Sequence, residues 1–587
     1  MKRIMSLILA LALLAGCVTV FASCGEPKDA GAEISVYLGE EIYDFDPTDY
    51  YVDSNADQIM SLLFEPLFTL SKSGKLKKNG LAKDYKVDKD ERTIVIELRE
   101  SYWSDEIRVT AEDFVYSWRD ILLEPINSNP AAALLYDIEN AVEIKNGEKT
   151  IYELGVEASD TYELTITYRD GANYKQLLKN LASVATSPVR QDIATDFTVD
   201  YWTKVINTAV TNGPFKLEEL DYTLGTFTLS RNIGYHQKPT AKKYTKQVTA
   251  SQLVSFTNPD GSAMNVKYSD IENKTVFYMS DAPLEERASN KDEAKVLDDL
   301  STYTYVFNTE NPLFAIKEVR QALSMAIDRN AIVNAITFGK AATGFIPDAC
   351  IDAATKDPFR EHADLISKGA KLDEAKTILA GVDFGTLSKS FTLTVNDDAE
   401  SLAIAAIVEA AWESLGFDVT VEAVGVVNTK VKDFVNNEDL TISDSAIQYA
   451  VKEASRGKRE FDVIAVDWQM YSTDPFVALS AFATRYSGCG RLLGDGVNTA
   501  LGSFGGYVSE EYNTLIDKAF KATDKDERSE FLRQAEKVLM DSACIVPLVF
   551  NQNFAFVSKE LSKVKNDGFG NFVLTKTKQK NYEDYLD

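Results

Sequence analysis

The segment "FTLTVNDDAESLAIAAIVEAAWESLGFDVTVEAV", Phe391 to Val424, decides the fold. Its first stretch, "FTLTV", alternates apolar and polar residues as a half-buried strand does. Ile404, Ile407, Val408, Ala411, Trp412 and Leu415 then fall on one face of a helix, and Gly416 supplies the stop. "FDVTVEAV" alternates again. Strand, helix and strand in so short a run make a βαβ unit, and a crossover of that kind joins parallel strands. This half of the chain is therefore expected to be α/β.

The neighbouring segments extend the pattern. Upstream, "KLDEAKTILAG" (Lys371–Gly381) is a short amphipathic helix, and Glu318–Gly339 reads as one longer helix stopped by Gly339. Downstream, Ser509–Ala543 reads as two helices, with Thr523 or Asp524 capping the second. Between them, "REFDVIAV" (Arg459–Val466) reads as a buried strand. It runs into "DWQMYSTDPF", where Trp468, Met470 and Tyr471 precede the turn signal Asp474-Pro475. An indole at the mouth of a strand either lines a site or fills a core, and the sequence leaves both open. In the first half, "RTIVIELRE", "YELTITYRD" and "GTFTLSRN" are strands, separated by helices such as "TAEDFVYSWRDIL". That half is α+β. Two lobes of different architecture imply a cleft between them.

Length and charge narrow the function. At 587 residues the chain exceeds one core and is expected to form two to four domains. The net charge is −28 with no basic stripe, which argues against nucleic acid. Only two histidines occur, His236 and His362, and His236, beside a strand end, reads as structural. A Ser-His-Asp or Cys-His site has almost no material. There is no GxxxxGK[ST] loop and no GxGxxG after a strand, and "GSFGG" (Gly502–Gly506) reads as a loop. Carboxylates are so abundant that no pair stands out. No enzyme, metal or cofactor is expected. Cys350, Cys489 and Cys544 are far apart and odd in number, so neither a disulfide framework nor a zinc set is expected.

The N-terminus reads as a lipoprotein signal. "MKR" is a basic start, an apolar run follows, and the small residues before Cys17 and Cys24 fit acylation of a cysteine. Cys24, in "FASC" with polar linker after it, is the expected lipidation site; Cys17, in "LAGC", is the alternative.

The segment "ADQIMSLLFEPLFTLSKSGKLKKNGLAKDYKVDKDERTIVIELRESYWSDEIRVTAEDFVYSWRDIL" (Ala56–Leu122) resembles the signature of the extracytoplasmic oligopeptide-binding proteins. These are the peptide/nickel class of solute-binding proteins of ABC importers. "VTNGPFKLEEL", "LSRNIGYH", "NPLFAIKEVRQALSMAIDR" and "ERSEFLRQAEKVLMDSACIVPLVF" continue the resemblance in the family's order. It implies an α/β two-lobed clamp with two hinge strands and an α+β subdomain inserted in lobe I. The implied division is 1–23 signal peptide, 24–33 tether, 34–70 lobe I, 71–196 inserted subdomain, 197–300 lobe I, 301–548 lobe II, and 549–587 the return to lobe I with the tail.

The resemblance also implies a ligand edge. Trp468, Gln469 and Met470 match its lobe II part, and Tyr50, Tyr51, Val52 and Asp53 its lobe I part, with Met279 and Ser280 contributing from the hinge side. Bound peptide would lie extended, paired backbone to backbone, with aromatic walls holding its side chains. Members that grip a free peptide amine carry an Asp three residues after the Trp, and here that residue is Tyr471. A phenol is uncharged near neutral pH. Either another carboxylate (Asp53, Asp281 or Asp467) takes over, or the ligand has no free α-amine there. Val426–Lys458 and Ala481–Gly506 are longer than the usual connections and flank this edge. The implied function is a monomeric protein, lipid-anchored on the extracytoplasmic face of the cell membrane. It would capture oligopeptides and deliver them to ABC permease subunits with cytoplasmic ATPases. The alternative is the same fold binding a signalling peptide, glycan or other solute without a free α-amine; scarce histidine argues against nickel.

Overall fold

The computed structural model describes residues 32–38, 45–48, 56–125, 128–194, 209–221, 226–237, 247–256, 266–280, 282–362, 364–432, 439–489, 491–494, 497–500, 503 and 505–581. Cys17, Cys24, Tyr50–Asp53 and Asp281 lie outside them. Among the described residues no helix is long and apolar enough to cross a membrane.

The βαβ unit forms as its spacing dictates. Strands Ser390–Asn396 and Asp418–Val424 pair in parallel, and helix Ala399–Glu413 connects them. Asp398 caps that helix by accepting from the Ser401 amide at 2.8 Å. Gly416 sits at φ 88°, the left-handed region glycine enters without penalty. The helix buries Ile404, Val408 and Trp412 against Tyr305, Phe307 and Phe391, and the Trp412 indole donates to the Leu323 carbonyl at 2.9 Å.

The expected helix over Glu318–Gly339 is two helices, Lys317–Met325 and Arg329–Ile336. Asp328 breaks it: its carboxylate accepts from the amides of Asn330 and Ala331, starting a new helix. Arg329 follows, 1 % exposed, and its guanidinium donates to the carbonyls of Pro547, Ser324 and Ser367. Burial lowers its pKa to about 10. The downstream pair is Glu510–Lys521 and Lys525–Ser542, with Asp524 as the second cap.

Two strands, Lys295–Phe307 and Ile545–Val557, join the halves. They pair antiparallel along their length, from Lys295↔Ala555 to Val306↔Ile545. One end extends into a sheet with Tyr278–Met279, Ala32–Tyr37 and Gln247–Phe256; the other extends into Val463–Gln469 and the βαβ strands. The register breaks midway. Asp298 faces Gln552, yet the next pair is Thr302 with Phe550, so Asp299, Leu300 and Ser301 bulge opposite Asn551. The fold is thus α/β, two lobes bridged by two strands. A separate antiparallel sheet, formed by Ala82–Asp88, Thr93–Leu98, Glu163–Thr167 and Val156–Asp160, belongs to the α+β unit.

That α+β unit meets the second lobe directly. The Asn129 amide donates to the Gly488 carbonyl at 2.8 Å, and Asn146 Nδ2 donates to the Arg485 carbonyl at 2.8 Å. Arg485 pairs with Glu148 at 3.0 Å and with Glu143 at 3.5 Å. Arg169 donates to the Phe520 carbonyl at 2.7 Å and lies 3.8 Å from the centre of its ring. The Arg485 pairs are half-exposed and contribute little singly; the stacked Arg169 contributes about 1 kcal/mol. Arg169→Ala with Arg485→Ala is therefore expected to loosen the contact by about 1–3 kcal/mol. The readout is a larger radius of gyration for ligand-free protein in small-angle scattering. An unchanged radius would assign closure to other contacts.

Candidate functional site

The strand expected over Arg459–Val466 runs instead over Val463–Gln469 and continues through Trp468. The reason is pairing: Asp467, Trp468 and Gln469 face Tyr303, Thr302 and Ser301 on the crossing strand. Successive side chains of a strand point to opposite faces, so Trp468 and Gln469 cannot share a wall.

A cavity of about 240 Å³ opens at this strand's end, and Gln469 and Tyr471 both line it. Leu300, from the register bulge, joins them. The other walls come from distant segments: Phe64, Glu65 and Leu70; Ser183 and Val184; Tyr235 and Gln237; and the tail between Lys563 and Lys576. Gln469 is 2 % exposed. Its Oε1 accepts from the Met470 amide at 3.0 Å, which fixes the side-chain amide's orientation. Tyr471 has φ 58°. A bulky side chain in the left-handed region stores about 1–3 kcal/mol of strain and persists only where its surroundings enforce it.

Glu65 is engaged on the same wall. Tyr235 Oη donates to its Oε1 at 2.6 Å, and His236 Nε2 lies 2.5 Å from its Oε2. Burial, then the Glu65 carboxylate, hold the Tyr235 hydroxyl well above the usual phenol pKa, so it remains a donor. The Asn212 side chain closes the group: its Oδ1 accepts from the Glu65 amide at 3.0 Å and its Nδ2 donates to the Glu65 carbonyl at 2.9 Å. The tail loop is pinned tightly. A Cβ on Gly570, at φ 94°, would meet the Asp298 carbonyl at 2.5 Å, and one on Gly568 would meet Leu70 at 2.7 Å.

The other predicted edge residues that are described, Trp468, Met470, Met279, Ser280 and Asp467, are not in the cavity lining. Trp468 is 6 % exposed, stacked on Phe482 (5.0 Å between centroids) and edge-on to Phe345 (5.7 Å). This is the core placement the sequence left open. Glu536, fully buried and paired with Arg360, accepts from the amides of Phe345 and Ile346 and so fixes the ring beside the indole. Met470 and Met279 are fully buried, and Ser280 donates its amide to the Tyr37 carbonyl at 2.9 Å. Asp467 accepts from Asn551 at 2.5 Å and does not line the cavity.

The model of the "Bacterial extracellular solute-binding proteins, family 5 Middle" matches residues 78–488. The chain belongs to this family. Among the family's curated relatives, the chain is 28 % identical over 490 residues to the periplasmic oligopeptide-binding protein OppA of Escherichia coli, covering 80 % of this chain and 78 % of that one. It is 26 % identical over 477 residues to the dipeptide-binding protein DppE of Bacillus subtilis, with the same coverage. Among solved structures, Listeria monocytogenes OppA bound to peptide superimposes with a TM-score of 0.73 at 20 % identity, covering 93 % of this chain and 98 % of that one. Against the unliganded open form of the murein tripeptide binding protein MppA the TM-score is 0.53, at 22 % identity and with 94 % of this chain and 99 % of that one covered.

Glu65, Tyr235, Leu300 and the tail lysines are the wall residues that sequence reasoning missed. They come from four separate segments, and no local spacing links them. Trp468→Ala is expected to destabilise the fold by about 3–5 kcal/mol, the range for deleting a buried aromatic. Denaturant unfolding would measure it. A loss below about 1 kcal/mol would return the indole to the rim of the cleft.

Proposed function

We propose that this chain is a lipid-anchored extracytoplasmic binding protein that captures oligopeptides between its lobes and hands them to ABC permease subunits driven by cytoplasmic ATPases. One observation carries the reading: in a family 5 chain, a cavity at the mouth of Val463–Gln469 is walled by both lobes and by the bulge of the crossing strands. The names of the curated relatives, oligopeptide- and dipeptide-binding, supply the ligand class. Strand-like pairing of ligand backbone gives affinity without sequence selectivity. Closure about the two crossing strands is the hinge motion of periplasmic binding proteins in general. We take residues 34–70, 197–300 and 549–587 as lobe I, 71–196 as its inserted subdomain and 301–548 as lobe II.

A binding role, with no covalent step, fits the side chains present. Cys350 and Cys544 are buried, and burial raises both thiol pKa values, that of Cys544 to about 11. His236 is committed to Glu65. Tyr471, standing where the resemblance implies an Asp, favours a ligand without a free α-amine at that point.

Two experiments test the reading. Ligand released by denaturing the purified protein is expected to be peptide by mass spectrometry; a glycan or another solute would replace the peptide reading. Cys24→Ala is expected to move the protein from the membrane fraction to the medium, or to leave it unprocessed at the membrane. Cys17→Ala should do neither, and the reverse result would place the acyl group on Cys17. A diacylated cysteine provides the two chains that stable anchoring needs.

A further inference from the structure

The cavity beside Gln469 has a polarity opposite to that of the chain. Acidic residues outnumber basic ones 90 to 62 overall, yet Lys563, Lys565 and Lys576 line this one wall. Among the described residues no carboxylate stands within ion-pair distance of these three lysines. The two carboxylates in the lining are already engaged. Glu65 is held by Tyr235 and His236, and Asp567 Oδ1 accepts from the amides of Phe569 and Asn571 within its own turn.

The second observation is independent. Because Gln469 Oε1 accepts from the Met470 amide, Nε2 is the end left over on a residue that lines the cavity. Among the described residues it has no acceptor, although the side chain is 98 % buried. A buried donor without a partner carries a penalty that a ligand acceptor would remove.

We propose that this cavity holds a carboxylate of the ligand, with the Gln469 amide donating to it and the tail lysines supplying the charge. This rests on the peptide reading above and names its substrate class: peptides that bring an acidic group to this point. The carboxylate belongs either to an acidic side chain or to the peptide's C-terminus. Charge at a concave wall acts more strongly than on open surface, because low-dielectric walls focus the field.

The test uses the full-length chain in detergent, stripped of native ligand. Three probes are compared by calorimetry at low salt: Ac-Gln-Ala-Ala-Ala-amide, Ac-Glu-Ala-Ala-Ala-amide and Ac-Gln-Ala-Ala-Ala with a free C-terminus. At least one carboxylate-bearing probe is expected to bind about tenfold more tightly than the neutral one, and which one does so identifies the source. Lys565→Gln with Lys576→Gln should bring the Kd of the favoured carboxylate probe to that of the neutral probe measured on the same variant. Gln469→Glu keeps an acceptor for the Met470 amide and should reverse the preference. Equal binding of all three probes, or an advantage that survives the lysine substitutions, would overturn the inference and leave the peptide reading standing. Binding of none, with a non-peptide native ligand, would overturn both.

Discussion

The pairing of Lys295–Phe307 with Ile545–Val557 is the constraint on which the rest depends. The two strands are neighbours at the middle of one continuous sheet, with the βαβ strands on one side and Ala32–Tyr37 and Gln247–Phe256 on the other, so the two halves share one backbone ladder. The pairing is also imperfect where the lobes meet. Three residues, Asp299 to Ser301, oppose Asn551 alone. Such a bulge bends and twists the ladder locally. It also turns Leu300 into the cavity, so the place where the strands yield is the place where the ligand wall begins.

Polar side chains hold the bulge in shape. Ser301 Oγ donates to Asp299 at 2.6 Å, and Asn551 Nδ2 reaches both Ser301 at 2.8 Å and Asp467 at 2.5 Å. Asn553 Nδ2 donates to the Gly570 carbonyl at 3.1 Å, which ties the tail loop to the same point. A buried network of this kind specifies one arrangement. The lysines that line the cavity are carried by that tail, which is tied both to the crossing strands and, through Arg231 Nη2 donating to the Thr575 carbonyl at 2.6 Å, to the first lobe.

The sequence exposed some of this and concealed the rest, for physical reasons. Periodicity alone revealed the strand–helix–strand run from Phe391 to Val424, because its apolar face has nowhere to go but the core. Periodicity could not see Asp328, since a helix-compatible pattern continues across it; only its carboxylate, bonding to two amides downstream, divides the helix. At the candidate site, the sequence grouped "WQMY" as one edge. Pleating then separates its members: Gln469 and Tyr471 line the cavity, while Trp468 turns beneath Phe345 and Phe482. Residues such as Lys576 were not legible, because their role comes from a fold that returns them to a wall begun some 500 residues earlier, at Ser61.

That return has a consequence for biogenesis. A chain that emerges N-terminus first presents Ser61 to Leu70 before Gln469, and Gln469 before Lys563 to Lys576. The second crossing strand, Ile545–Val557, likewise appears long after the first, Lys295–Phe307. Contacts so distant along the chain form slowly, because loop closure must precede any reward. The walls of the cavity cannot meet until Lys563 to Lys576 have been synthesised. Products truncated before Lys563, even those that keep most of both lobes, should therefore be blind to ligand, and occupancy would report that the chain is intact from Ser61 to Lys576.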